Sequence, residues 1–389
     1  MKGTTQALRL SAVVALAAGA SVAAGVAGPM ASAGAGGCAP YTLPGLPGGT
    51  EAEVISISAA GLYGGDAQDA DGVGHAVYWT HDGTDLSTGW SIHLVPNDPV
   101  VNDFIGDINT QGVMVGTGGT DAVTGISEGY VFDVNTGALT LLPGLGGNNE
   151  YDRRINDAGV VADTAGDAKG VIHAVTIAPP YTKVNILPDA GGSRSFSSPD
   201  SQSKAGSAAT GVNNRGQVVG VSFNGGHIAD TEFFARNHIW HDAVSPLLQP
   251  LEWQSTGAPH RLSTGSGQGN AWAINDSGLV VGSVADAQTF TARPTAWING
   301  TNVDMGAPSD IAFGNAYGLS QGGWAVGGYI EGDGNTSRAF TWNSTDGFRT
   351  LDPPAGLANS WSHGVSDVLR QLGGSADDGS TTAAVVWQC

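Results

Sequence analysis

Four residues in the last third of the chain, Trp272, Tyr317, Trp361 and His363, carry the ring surfaces and polar tips that stack on sugar or aromatic ligands and hold them by hydrogen bonds. They are the candidate ligand-binding residues, although rings in short strands also serve as packing between sheets. A second set is acidic: Asp69 and Asp71 in an Asp-x-Asp-Gly run, and Glu331 and Asp333 in a Glu-x-Asp-x-Asn run, with Asp377 and Asp378 further on. Each run supplies half of an oxygen-rich calcium loop, and neither has the full ligand spacing. Calcium is therefore the one metal the sequence admits, at Asp69, Asp71, Glu331 and Asp333, and no other cofactor is expected. The competing account is that these carboxylates pair with nearby cations such as His75, His173, Arg236, Arg293 and Arg338. Exposed pairs of that kind are worth about 0 to 1 kcal/mol. No Gly-x-Ser-x-Gly elbow, His-Glu-x-x-His motif or phosphate loop occurs, so no catalytic residue is assigned.

The elements that must position these side chains are set by repetition. A hydrophobic residue followed by Asn or Ser, then a turn, usually with Gly, recurs at Ile57-Ser58, Ile108-Asn109, Ile155-Asn156, Val212-Asn213, Ile274-Asn275, Leu319-Ser320 and Val365-Ser366. Successive Asn/Ser positions are 51, 47, 57, 62, 45 and 46 residues apart, the spacing of propeller blades. Each repeat divides into four short strand-like segments, A to D. The fifth reads Ala271 to Asn275, Leu279 to Ser283, Ala292 to Ile298 and Asn302 to Met305.

Three details recur with the repeat. The A-B turn carries Gly where a left-handed residue is wanted, except that Leu369 stands there in the last copy. A second Gly follows four residues later (Gly65, Gly116, Gly220, Gly282, Gly327, Gly373), with Asp163 in its place in the third copy; it implies close approach of another backbone. Strand C ends on a large residue, read as Trp79, Phe132, Ile177, Trp240, Trp297, Trp342 and Trp387, a ladder suited to packing between sheets.

The seventh copy stops after strand C, at Val385 to Cys389, while Tyr41 to Gly49 matches the strand D of Leu141 to Gly147. The spacing thus predicts an all-β, seven-bladed β-propeller over 38–389, closed by an N-terminal strand that completes the last blade. That closure places Cys38 beside Cys389 and predicts a disulfide. Long insertions are expected in D-A connections at about 193–210 and 253–270, on the same face as the B-C loops.

Residues 1–33 read as a cleaved signal peptide. Lys2 and Arg9 precede an uncharged apolar run from Leu10 to Val26, and Ala31-Ser32-Ala33 offers the cleavage site. No other run is long enough to span a membrane. Lipidation of Cys38, after Ala35-Gly36-Gly37, is the alternative to a disulfide, and it would leave Cys389 an odd thiol. The released chain has 13 basic against 35 acidic side chains, net −22, which opposes nucleic acid and anionic membranes as partners.

The block Ile274 to Gly282 (Ile-Asn-Asp-x-Gly-x-Val-Val-Gly), the run Arg338-Ala339-Phe340-Thr341-Trp342 and the run Leu142 to Gly147 resemble the HAF-repeat family of extracellular bacterial proteins. The resemblance covers nearly the whole released chain and implies secretion and repetition; it brings no catalytic residues. The expected function is a secreted, monomeric, non-enzymatic propeller binding an extracellular protein, glycan or envelope component on its D-A/B-C face. The alternative is a secreted glycan hydrolase or lyase using carboxylates of the blade 6-7-1 sector, for instance Asp333 or Asp378 with His363.

Overall fold

The structure, a computed structural model, describes residues 37–96, 101–120, 126–169, 171–188, 206–223, 248–254, 259–286, 288–289 and 291–389. The signal peptide with its cleavage site at Ala33, and Arg236 and Trp240, lie outside them. The chain forms seven four-stranded antiparallel sheets. Blade 1 is Ala52–Ile57, Tyr63–Gln68, Gly74–His81 and Trp90–Leu94; blade 2 is Val101–Ile108, Val113–Thr120, Ile126–Asp133 and Ala138–Leu141. Blade 3 is Gly146–Ile155, Val161–Asp167, Ile172–Ile177 and Val184–Ile186; blade 4 is Ser207–Val212, Val218–Phe223, Leu248–Trp253 and His260–Arg261. Blade 5 is Gln268–Ile274, Val280–Ala285, Ala292–Ile298 and Thr301–Asp304, and blade 6 is Ile311–Leu319, Ala325–Glu331, Ser337–Asn343 and Gly347–Thr350.

Blade 7 takes Asn359–Ser366, Gln371–Asp377 and Thr382–Gln388 from the C-terminus and its fourth strand, Ala39–Thr42, from the N-terminus. That strand runs antiparallel to strand C, with Ala39 opposite Gln388 and Thr42 opposite Val385. The Cys38–Cys389 disulfide spans 351 residues at this seam. Strands A touch one another in an unbroken circle from blade 1 through blade 7 and back, so they are innermost and the protein is a closed seven-bladed β-propeller.

The repeated Asn is a structural stitch. Asn109, Asn156, Asn213 and Asn275 each accept, through Oδ1, the amides two and four residues later, which holds the A-B turn. Their Nδ2 groups donate to the next blade: Asn109 to Asn156 O (3.1 Å), Asn156 to Asn213 O (2.9 Å), Asn213 to Asn275 O (3.0 Å) and Asn275 to Ser320 O (3.2 Å). Each of these carbonyls also accepts the amide of its own turn Gly, so the Asn fills its second acceptor position. The residue after each Asn adds an outer tier: Thr110 N donates to Asp157 Oδ1, Asp157 N to Asn214 Oδ1 and Asn214 N to Asp276 Oδ1.

The strand C ladder is packing, and four of its buried indoles also donate to the preceding blade. Trp79 Nε1 meets Pro44 O, Trp253 meets Pro188 O, Trp297 meets Ser263 O and Trp387 meets Asp352 O, all at 2.7 to 2.8 Å. In blade 4 the rung is Trp253, where the sequence reading put Trp240. Leu248–Trp253 is strand C and His260–Arg261 a short strand D, so the long insertion of blade 4 is the B-C connection, 224–247, and 253–270 is not a D-A insertion. The ladder misled because two tryptophans stand thirteen residues apart, and it is Trp253 that pairs with Val218. The D-A insertion between blades 3 and 4 stands, as the chain passes from Val184–Ile186 to Ser207–Val212.

The second glycine has the reason expected. A Cβ on Gly65, Gly220, Gly282 or Gly327 would meet the strand A carbonyl of Glu53, Ala208, Asn270 or Asn315. In blade 7 that place belongs to Gly374, whose Cβ would meet Trp361 O, and not to Gly373. The turn there is one residue longer, and Arg370, at φ 55°, supplies the left-handed conformation in place of Gly. In blade 3 Asp163 is buried and its Oδ1 accepts the Thr164 amide.

Candidate functional site on the innermost strands

Strand A slips by one residue against strand B in blades 1, 2, 4, 5, 6 and 7, each time at the residue three before the turn Asn or Ser. The extra residues are Ile55, Gly106, Thr210, Trp272, Tyr317 and His363. A β-bulge re-aims its side chain and locally twists the strand. In blades 5, 6 and 7 the bulged residue is a ring, and the three rings meet. Trp272 and Tyr317 are edge to face with centroids 5.5 Å apart, and Tyr317 stacks on His363 at 5.1 Å. Trp361, two residues before His363, is tilted against Tyr317 at 6.3 Å. All four sequence candidates therefore come together. They sit on the innermost strands, deeper than the D-A and B-C loops, with Trp361 nearer that end.

Sequence reasoning missed Glu53. His363 Nε2 lies 2.8 Å from Glu53 Oε1, with the Glu53 side chain 30% exposed and that of His363 9%. Ser375, on strand B of blade 7, donates its hydroxyl to the same Oε1 at 2.9 Å. Asn270 and Asn315 were missed as well; they occupy in blades 5 and 6 the position of Trp361 and Glu53 in blades 7 and 1, five residues before the turn Asn or Ser. Aligning the seven copies at that turn residue would have exposed this second tier, where Glu53 is the one acid.

Burial, opposed by the Asn315 side chain and reinforced by the Glu53 charge, pushes the Tyr317 phenol far above its ordinary range. It stays protonated at neutral pH, a hydrogen-bonding group and not a base. Ser375 gives its proton to Glu53 rather than to His363, so the trio lacks the serine-to-imidazole bond that makes a serine nucleophilic. Among the described residues, two acceptors and a donor on this wall have no partner: Asn270 Oδ1, Asn315 Oδ1 and Trp272 Nε1.

The acidic loops are built differently. Asp69 accepts from its own turn amides at Asp71 and Val73 and pairs with His75 at 2.9 Å. Asp333 accepts from the amides of Asn335 and Thr336, and Asp378 from those of Ser380 and Thr381. Glu331 pairs with Arg338 at 3.1 Å, Asp167 pairs likewise with His173 in blade 3, and Arg293 of blade 5 pairs with Asp304 on strand D. Asp71 is exposed beside Asp69. Hydrogen bonds hold the Asp333 and Asp378 carboxyls below their usual range, from the Asn335 amide foremost at Asp333 and the Ser380 hydroxyl at Asp378. They remain ionised and turn-bound, while His363 has Glu53 as its carboxylate. The acid–histidine pair expected from Asp333 or Asp378 is instead Glu53–His363. No three His, Cys, Asp or Glu side chains gather as metal ligands among the described residues.

The sequence matches no described family, and no curated protein matches it. Solved structures are similar in fold. A prolyl endopeptidase aligns with a TM-score of 0.52 at 11% identity over 87% of this chain and 50% of that one. An oligogalacturonate lyase in complex with manganese gives 0.44 at 10% identity over 87% and 98%, and TolB from Acinetobacter baumannii gives 0.42 at 14% over 77% and 62%. The first supports the propeller fold and nothing beyond it; the other two scores are too low to carry an argument.

Proposed function

We propose that this chain is a secreted, non-enzymatic binding propeller of the HAF-repeat kind, with its ligand entering from the D-A/B-C face onto Trp361, Glu53, His363, Tyr317 and Trp272. The observation that carries the reading is the meeting of three consecutive bulged rings with a partly exposed carboxylate, where the corresponding bulges of blades 1, 2 and 4 carry Ile55, Gly106 and Thr210. Irregularity confined to one sector of a regular scaffold is what a binding site requires. The disulfide fits an oxidising compartment, and no helix among the described residues is long and apolar enough to cross a membrane. Binding of the purified protein to an array of glycans and envelope components, with and without calcium, tests the reading. Signals that Trp361→Ala abolishes support it; signals untouched by that change sink it.

A hydrolase or lyase is the second reading, favoured only by the Glu53–His363 pair as an acid and base in contact. It requires product release from a bound glycan that Glu53→Gln stops without weakening binding.

A further inference from the structure

We propose that the C-D connection of blade 1, residues 82–89, is a proton-dependent clasp over the seam of the ring, shut on the imidazolium of His81 and loosened when that imidazole turns neutral. His81 ends strand C, and the loop presents its nitrogens with carbonyl oxygens alone. Nε2 lies 2.8 Å from Thr88 O and 2.9 Å from Asp85 O, and Nδ1 lies 3.2 Å from Gly83 O. A backbone carbonyl offers no proton, so each contact needs an N–H on the imidazole. The imidazolium has one on each nitrogen. A neutral imidazole has one in all, and whichever nitrogen gives up its proton turns a lone pair toward a carbonyl. The tilted indole of Trp90, its centroid 4.6 Å away, adds a π face that also favours the cation.

The surroundings agree in sign. The charged groups of the loop are Asp82 and Asp85, both acids, and the Asp85 carboxylate is attracted to His81. Strand D brings His93, but that side chain turns to the other face of the sheet and stacks on Tyr78. Behind Trp90, burial pushes the Tyr63 phenol up to about 12, so it stays neutral, and residues 42–49 carry no charge. The loop is also shaped for its contacts. Gly83 and Gly89 take φ of 98° and 83°, Asp82 N donates to Gly89 O, and Asp85 Oδ1 accepts the Ser87 amide and hydroxyl. What it covers is the closure. Leu86, 7% exposed, belongs to the apolar cluster that joins Leu43 of the N-terminal segment, Trp79 of blade 1 and Val386 of blade 7. Trp90 donates Nε1 to Leu86 O at 2.8 Å and meets Tyr63 edge to face, and the Tyr63 hydroxyl donates to Gln371 of blade 7. Loss of the His81 proton therefore acts on the joint between the last blade and the first.

The test is hydrogen–deuterium exchange of the whole oxidised protein, read on the peptide that holds residues 82–89 and corrected for the intrinsic pH dependence of exchange. Protection of that peptide is expected to fall about three- to tenfold as pH rises through the range where histidine ordinarily discharges, about 6.5, while strand C of blade 5 keeps its own. His81→Gln, never charged, should show the low protection at every pH. His81→Lys, charged throughout and carrying three donors, should show the high one. The nitrogen shifts of the His81 imidazole in the parent protein give a reading that needs no variant: both nitrogens should carry protons while the loop is protected, and one when it is not. Protection that persists over a singly protonated imidazole overturns the proposal, and so does a pH-dependent fall that survives in His81→Gln.

Discussion

His363 Nε2 and Glu53 Oε1 lie 2.8 Å apart, so the innermost strand of the last blade is joined to that of the first by side chains as well as by the covalent latch outside. His363 is nearly enclosed and Glu53 only partly open, so water screens the contact less than it does a surface pair. A double-mutant cycle with Glu53→Gln and His363→Asn, read by urea denaturation near neutral pH, should give a coupling of about 1 kcal/mol. Additive effects would mean that the contact stabilises nothing.

Gly328 is the floor on which Trp361 lies. A Cβ there would meet the indole at Cε3, Cζ3 and Cδ2, and neither the ring nor the paired strand can retreat freely. Gly328→Ala is expected to cost about 1 to 3 kcal/mol, the usual penalty of overpacking. It should also disturb ligand binding by tilting the ring. Adding Trp361→Ala removes the clash, so the double variant should be more stable than additivity allows; thermal unfolding of the four proteins decides this.

The ring, its N-terminal closure and the Cys38–Cys389 bridge were legible because each follows from a comparison of one copy with the next. Tyr41 to Gly49 looks like Leu141 to Gly147, and the seventh copy lacks that piece. The clustering of Trp272, Tyr317 and His363 was only half legible. Their residue types stand out, but their meeting depends on a bulge at one position of strand A, and a slip in pairing leaves no mark in composition. Glu53 escaped notice because the tier it belongs to, five residues before the turn Asn or Ser, shows only when the seven copies are aligned at that turn residue. Trp240 drew the wrong rung of the ladder, since local pattern could not say which of two tryptophans pairs with Val218.

Opening the Cys38–Cys389 bridge releases a 351-residue loop constraint, and the strand Ala39–Thr42 then holds blade 7 by backbone pairing alone. The chain-entropy relation gives about 5 to 6 kcal/mol for so long a loop, an upper figure; losses of about 2 to 5 kcal/mol are typical. Cys38→Ser with Cys389→Ser should lower the unfolding midpoint accordingly, and reductant should then have no further effect. A midpoint unchanged by the double substitution would show that the backbone pairing of Ala39–Thr42, with the Tyr63 Oη to Gln371 Oε1 hydrogen bond from blade 1 to blade 7, closes the ring without the bridge.

Asn213 serves two structures with one side chain, accepting from Arg215 N and Gln217 N while donating to Asn275 O. Asn213→Ala strips these bonds, and the Nδ2 donation to Gln217 Oε1, from a buried site and should cost about 1 to 3 kcal/mol. Asn213→Ser should recover part of this, because Ser58 and Ser320 hold their turns by accepting the Leu62 and Trp324 amides. Serine does not reach the next blade, so the remaining deficit measures the stitch between blades 4 and 5.

Acid should weaken the fold through its loop carboxylates. Asp69 is held below its usual range by His75 foremost, Asp85 by the Ser87 hydroxyl, Asp167 by the Val171 amide, Asp286 by the Thr289 amide, Asp333 by the Asn335 amide and Asp378 by the Ser380 hydroxyl. A carboxyl whose folded pKa is depressed contributes stability above its unfolded value, about 3.9, and loses it as pH falls through the folded one. Asp107 works in the opposite sense: burial raises it, against the pull of Arg154 and Ser56, so its contribution is lost as pH rises through the raised value. Six depressed groups against one raised group predict a melting temperature that declines as pH drops below about 4. Asp378→Asn keeps one acceptor oxygen for Ser380 and Thr381 but no longer titrates. It should be less stable than the parent at neutral pH and converge on it in acid, and melting curves that stay parallel down to the most acidic buffer would contradict the assignment.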